Sequence, residues 1–83
     1  MAKFKITFKQ GESFTGLVVE DNLTKQEVEN FIIENITKYN VVSFPLRGGA
    51  TEIVPVERIT GVVVHEDIYR GNYVGLQAIK FHN

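Results

Sequence analysis

The sequence predicts an α+β fold of order ββ-α-βββ: a curved antiparallel sheet, or a small partial barrel, packed on one helix. Three observations carry this expectation. Phe4, Ile6 and Phe8 alternate with polar residues, as in a half-buried strand. Thr24-Lys25-Gln26-Glu27 has the form of a helix-starting capping box, and apolar residues follow it at helical spacing. Two apolar runs, Val41 to Leu46 and Ala50 to Val56, flank Gly48-Gly49, a pair that tolerates the positive φ of a tight hairpin.

The first strand presents Phe4, Ile6 and Phe8 to the core and Lys3, Lys5, Thr7 and Lys9 to water. Lys9-Gln10-Gly11 reads as a three-residue loop with Gly11 at its left-handed position. That loop sets Phe8 opposite Glu12, Ile6 opposite Phe14 and Phe4 opposite Gly16. The second strand runs from Ser13 to Glu20. Its end, Leu17-Val18-Val19, is apolar on both faces, and Gly16 marks a bulge or a sharp bend.

In the capping box, the Thr24 hydroxyl accepts from the Glu27 N–H while the Glu27 carboxylate reaches back to the Thr24 N–H. Leu23 and Val28 are spaced for a hydrophobic staple across the cap. Val28, Phe31, Ile32 and Ile36 form one stripe. The helix is expected over 25–38, with Asn40 as a left-handed stop.

In the central hairpin, a Gly48-Gly49 loop sets Arg47 opposite Ala50, Leu46 opposite Thr51, Phe44 opposite Ile53 and Val42 opposite Pro55. Val42, Phe44, Leu46 and Ile53 then share a core face. Pro45 and Pro55 must sit where a missing N–H faces no partner strand. Glu57-Arg58-Ile59-Thr60 reads as one tight turn, and Gly61 bends the chain into Val62-Val63-Val64, a strand covered on both faces. Tyr69-Arg70-Gly71-Asn72-Tyr73 resembles another turn, flanked by Ile68 and by Val74, Leu76, Ile79 and Phe81. Residues 1–83 are expected to form a single domain, with 67–83 a final hairpin or a docking arm.

The length of 83 residues suits one domain, and 43% hydrophobic residues suit a globular chain. The sequence has no cysteine, so disulfides, thiolate nucleophiles and Cys-based zinc sites are out. No apolar run approaches the roughly 20 residues of a membrane span, and the expectation is a cytoplasmic protein without membrane contact. A net charge of −1 lacks the basic excess of general nucleic-acid binders.

No nucleophile–base pattern, Gly-rich phosphate loop or carboxylate pair in distinct apolar settings is visible, so no enzyme and no cofactor are expected. Ser13 and Ser43, the only serines, lie outside any nucleophile-type turn. His65-Glu66-Asp67 offers ligand types, but adjacent strand residues point alternately, so no metal site is expected. Lys3, Lys5 and Lys9 form a basic strip that phosphate would suit. Their Phe neighbours point to the opposite face, which favours a solvated strand protected from edge pairing. Arg47-Gly48-Gly49 matches the unit of RNA-binding tails, yet it stands once and within a hairpin.

The three arginines, Arg47, Arg58 and Arg70, all lie beside predicted turns. Guanidinium grips carboxylate and phosphate, and Arg is enriched at interface hot spots. Tyr69 and Tyr73, flanking Arg70, complete the candidate partner- or ligand-binding set. Arg47 and Arg58 lie beyond opposite ends of one strand, so at roughly 3.3 Å per residue they stand on the order of 20 Å apart. They can clamp one small ligand only if a second subunit brings its own Arg across. The plain alternative is that each is a solvated turn residue.

The runs Phe14-Thr15-Gly16-Leu17-Val18-Val19-Glu20-Asp21 and Ile53-Val54-Pro55-Val56-Glu57-Arg58-Ile59-Thr60-Gly61-Val62-Val63 resemble parts of SH3-like and Sm-like small barrels. In those folds a bent second strand carries Gly and one tight turn splits the last two strands. The resemblance implies barrel-like architecture and closed oligomers. It does not imply RNA binding, because the helix lies between the second and third strands and the base-gripping residues have no counterpart. The chain also looks like the small cysteine-free accessory proteins of bacteriophages, many of which block a host protein or trap a signalling nucleotide. The expected function is a non-enzymatic binding or inhibitor module that works by protein–protein contact, as a homo-oligomer. One alternative is sequestration of a small anionic, nucleotide-type ligand at a subunit interface. The other is weak nucleic-acid binding.

Overall fold

The computed structural model describes residues 2–66 and 74–83. In chain order it contains β1 (Ala2–Gln10), β2 (Ser13–Asp21), α1 (Lys25–Ile36), β3 (Val41–Pro45), β4 (Thr51–Pro55), β5 (Gly61–Glu66) and β6 (Lys80–His82), with short 3-10 turns at Arg47–Gly49, Val56–Arg58 and Leu76–Ala78. The predicted α+β class holds. The strands form two antiparallel three-stranded sheets, ordered β2-β1-β5 and β4-β3-β6, and the sheets do not close into a barrel.

The β1–β2 hairpin has a different register from the expected one. Gln10 pairs with Ser13, Ile6 with Leu17 and Phe4 with Val19, so the loop is Gly11-Glu12. Gly11 takes the positive φ of 65°. The expected pairing of Ile6 with Phe14 would have turned Leu17 and Val19 to water. The observed pairing places both in the core with Phe4, Ile6 and Phe8, and leaves Phe14 73% exposed. Burial of two aliphatic side chains, each about 1.5–3 kcal/mol, decides the register. Pairing is continuous past Gly16, so no bulge forms there. Gly16 instead allows close approach: a Cβ at that position would lie 3.0 Å from the Ile6 carbonyl oxygen.

The capping box forms as expected. Glu27 N–H donates to Thr24 Oγ1 at 3.2 Å, and Thr24 N–H donates to Glu27 Oε1 at 3.0 Å. Val28 and Ile32 are buried, while Phe31 and Leu23 pack at the core margin. The helix stops earlier than expected. Thr37 Oγ1 donates back to the carbonyls of Ile33 and Glu34, competing with helix continuation. Asn40 is not a left-handed stop, since no residue other than Gly has positive φ among those described. Its backbone joins the second sheet, where Asn40 N–H donates to His82 O and Asn40 O accepts from Val56 N–H.

The β3–β4 hairpin is shifted by one residue. Leu46 N–H donates to Ala50 O at 2.8 Å, closing a loop of Arg47-Gly48-Gly49 rather than Gly48-Gly49 alone. Gly48 and Gly49 take φ of 75° and 79°, which explains the pair. Val42 now faces Val54 and Ser43 faces Ile53. Because strand side chains alternate, the one-residue shift exchanges the faces of neighbours: Val54 is buried and Ile53 is exposed, against expectation. Both prolines fall on pairs that alternate with the hydrogen-bonded Leu46–Ala50 and Asn40–Val56 pairs.

The tight turn after Val56 is present, with Ile59 N–H donating to Val56 O. It delivers β5 to the far side of β1, where Val62 pairs with Phe8 and Val64 with Ile6. The predicted turn over Tyr69–Tyr73 lies outside the described residues. Beyond it, Leu76 and Ile79 are buried, and β6 pairs with β3. Asp21 anchors this return by accepting from Leu76 N–H at 3.1 Å.

The two sheets meet at one core, where Phe8 stacks on Phe44 with ring centroids 4.9 Å apart. The helix closes the side of that core, its Phe31 edge-on to Phe81 of β6.

Candidate functional site

The sheet edges are not equally protected. Native edges are blunted by brevity, Pro, Lys or a covering segment, because an open edge pairs with other chains. β6 has three residues, and β4 has five and ends in Pro55. β2 is met only at its end, by Val74, whose carbonyl accepts from Glu20 N–H at 2.9 Å. Among the described residues, 13–18 of β2 have no second strand partner, but no apolar groove accompanies that stretch. β5 has six residues, Gly-Val-Val-Val-His-Glu, with no Pro and no Lys. One side of it pairs with β1; among the described residues no strand pairs with the other.

Beside that edge, an open groove of about 530 Å³ runs between α1 and β5. Ile32, Ile33 and Ile36 line the helix side, and Ile59, Val62 and Val64 line the strand side. Val62 and Val64 belong to the core face of β5, paired with Phe8 and Ile6. Ile33 stands at the margin, 59% exposed. The polar side chains of the lining are already engaged: Thr60 Oγ1 accepts from Gly11 N–H at 3.1 Å, and the other two are held within the helix. Gln26 Nε2 donates to Asn30 Oδ1 at 3.1 Å, and Glu29 Oε2 lies 3.6 Å from Lys25 Nζ. Glu29 is the one charged residue that lines the groove among those described.

The predicted site residues are spread over the molecule. Arg47 lies in the turn between β3 and β4, and Arg58 in the turn between β4 and β5; both are exposed. They remain at opposite ends of β4, as expected. Arg58 immediately precedes Ile59, Thr60 and Gly61 of the groove. Arg70, Tyr69 and Tyr73 lie outside the described residues.

On the outer face of the β2-β1-β5 sheet, Lys3 lies 3.9 Å from Glu20, and Lys5 and Lys9 are exposed. Phe4 and Phe8 do point away, as expected. Phe14 does not: it is the cross-strand partner of Lys9 and shares its exposed face. His65 and Glu66 are adjacent strand residues, and no group of three or more His, Cys, Asp or Glu converges among the described residues.

The fold also joins two residues that spacing along the chain keeps apart. Ser43 Oγ lies 3.0 Å from His82 Nε2 on the exposed face of the β4-β3-β6 sheet. Only the β3–β6 pairing brings them together, so no local signal announces the pair. Serine catalysis also needs a group orienting the second ring nitrogen and donors for the oxyanion. Neither accompanies the pair among the described hydrogen bonds.

No family model matches the chain, and no curated protein or solved structure matches it either.

Proposed function

We propose that this domain is a non-enzymatic protein-binding module that accepts an extended segment of its partner as an added strand on β5. The observation that carries this reading is the apolar edge of β5, which no strand covers among the described residues, lying beside the α1–β5 groove. Strand addition draws affinity from main-chain hydrogen bonds and specificity from pockets for alternate side chains. Here the edge supplies backbone groups that pair with no strand among the described residues, and the groove receives every second side chain of the guest. A volume of 530 Å³ falls within the range of about 300–1,000 Å³ typical of ligand-sized sites. Arg58, at the Gly61 end of the strand, supplies a guanidinium for a guest carboxylate or carbonyl.

Panning a displayed peptide library against the domain tests this. Enriched peptides are expected to carry apolar residues at alternate positions and to slow hydrogen exchange of β5 amides. Arg58→Ala should weaken them without lowering the melting temperature. Binders that protect β4 or β6 and leave β5 unchanged would defeat the proposal.

A second reading rests on Phe14. An exposed ring beside Lys9 offers stacking next to a cation, the minimal platform for single-stranded nucleic acid or a nucleotide. Fluorescence anisotropy of a labelled oligonucleotide at low salt decides it: binding must fall with added salt and with Phe14→Ala.

A further inference from the structure

We infer that the segment seated on β5 is the β5 strand of a second copy of this chain, related by a two-fold axis perpendicular to the sheet. The inference rests on the strand-addition reading above and names its partner. An isologous antiparallel pair is the commonest closed arrangement and leaves no new open edge on β5.

The register follows from the residues. For the core faces of both copies to lie on one side, residue numbers in each facing pair must sum to an even number, because side chains alternate. Centring the axis on Val62 pairs only Gly61 to Val63. Centring it on Val64 sets Glu66 against Val62 of the second copy on the apolar face, twice by symmetry. Centring it on Val63 sets Val62 against Val64 of the second copy, twice, and brings Glu66 beside Thr60 at the strand end. The Val63-centred register buries apolar against apolar and no charge against apolar, so it is the one expected.

The same axis sets the two α1 helices on one side of a six-stranded sheet. Ile33, exposed in the single chain, then faces the groove of the second copy. One patch thus carries both the protruding side chain and the hollow that takes it. Glu29, already paired with Lys25, adds no unpaired charge to the interface. A face about 20 Å long, from six strand residues, and about 20 Å deep across sheet and helix buries on the order of 500 Å² per chain. The total is near the roughly 1,000 Å² at which specific interfaces begin, which suits a dissociation constant on the order of micromolar.

The chain has no cysteine, so single-cysteine variants report the register cleanly. In the proposed dimer, Val63→Cys meets its own copy at about 5 Å between Cα atoms, within disulfide reach. His65→Cys is displaced from its copy by four strand positions, about 13 Å, and is out of reach. Under mild oxidation Val63→Cys should convert to covalent dimer while His65→Cys stays monomeric. Sedimentation should show the unmodified chain as a dimer at about 100 µM, well above a micromolar Kd. Ile33→Glu should weaken association at least tenfold with an unchanged melt of the diluted monomer. A dimer that cross-links through His65→Cys as readily as through Val63→Cys overturns the inference. So does a monomer at about 100 µM whose β5 is still protected by selected peptides, which leaves the strand-addition reading standing. A monomer with no peptide protection of β5 overturns both.

Discussion

Strand β4 places two adjacent aliphatic residues, Ile53 and Val54, on opposite faces, and their truncation should separate sharply. Val54 is 1% exposed and Ile53 is 67% exposed. Val54→Ala removes two buried methyl groups, about 1.6 kcal/mol at about 0.8 kcal/mol each. It also leaves a void on the order of 50 Å³, which adds up to about 1.2 kcal/mol at roughly 24 cal/mol per Å³. The expected loss is therefore about 2–3 kcal/mol. Ile53→Ala removes three carbons that are only about one-third buried, so the same rate yields about 0.8 kcal/mol. A domain of this length has a total stability on the order of 4–12 kcal/mol, so the Val54 variant loses a substantial part of it. Urea melts followed by far-ultraviolet circular dichroism, at one fixed protein concentration, read the difference. With a slope of about 1 kcal/mol per molar, the Val54→Ala midpoint should fall by about 2 M or more, and that of Ile53→Ala by less than about 1 M. If Ile53→Ala costs as much as Val54→Ala, the Arg47-Gly48-Gly49 loop and its register are wrong.

Three further outcomes are expected. Thr24→Ala removes the acceptor for Glu27 N–H and should cost about 1 kcal/mol in thermal or urea melts, whereas Thr24→Ser should cost little. Gly49→Ala meets no atom within 4 Å, so its whole cost is the positive φ, about 1 kcal/mol, and Gly49→Asn should recover part of it. Asp21→Ala leaves the part-buried Leu76 N–H without its acceptor, and a loss of about 1–3 kcal/mol should appear with faster hydrogen exchange near Leu76.

The helix and its cap were legible because the signals lie within a few residues of one another. Thr24, Glu27 and the apolar stripe specify each other through backbone bonds of three- and four-residue span. The turns at Gly11 and at Gly48-Gly49 were legible for the same reason, since positive φ is a property of the residue itself. The paired registers were not. Phe14 and Ile53 are as hydrophobic as the neighbours that displaced them, so composition could not rank the alternatives. What decided was whether Leu17, Val19 and Val54 reached a core assembled from every element at once.

The candidate site divides in the same way. Its components were visible as types: the apolar triplet Val62-Val63-Val64, the helix carrying Ile32, Ile33 and Ile36, and the turn that holds Arg58. The sequence by itself determined that β5 would be apolar on both faces and that α1 would start at its cap. Only the tertiary structure decided that β5 lies against β1, from 52 positions away in the pair Lys9–Gly61 to 62 in the pair Phe4–Glu66. Only that placement makes β5 an edge among the described residues and opens a groove beneath the helix. The same holds for Ser43 and His82, joined by a sheet whose third strand arrives last in the chain. Local propensity acts over a turn or a cap. Which strand becomes an edge depends on how every other strand has found its partner, and no stretch of residues carries that information alone.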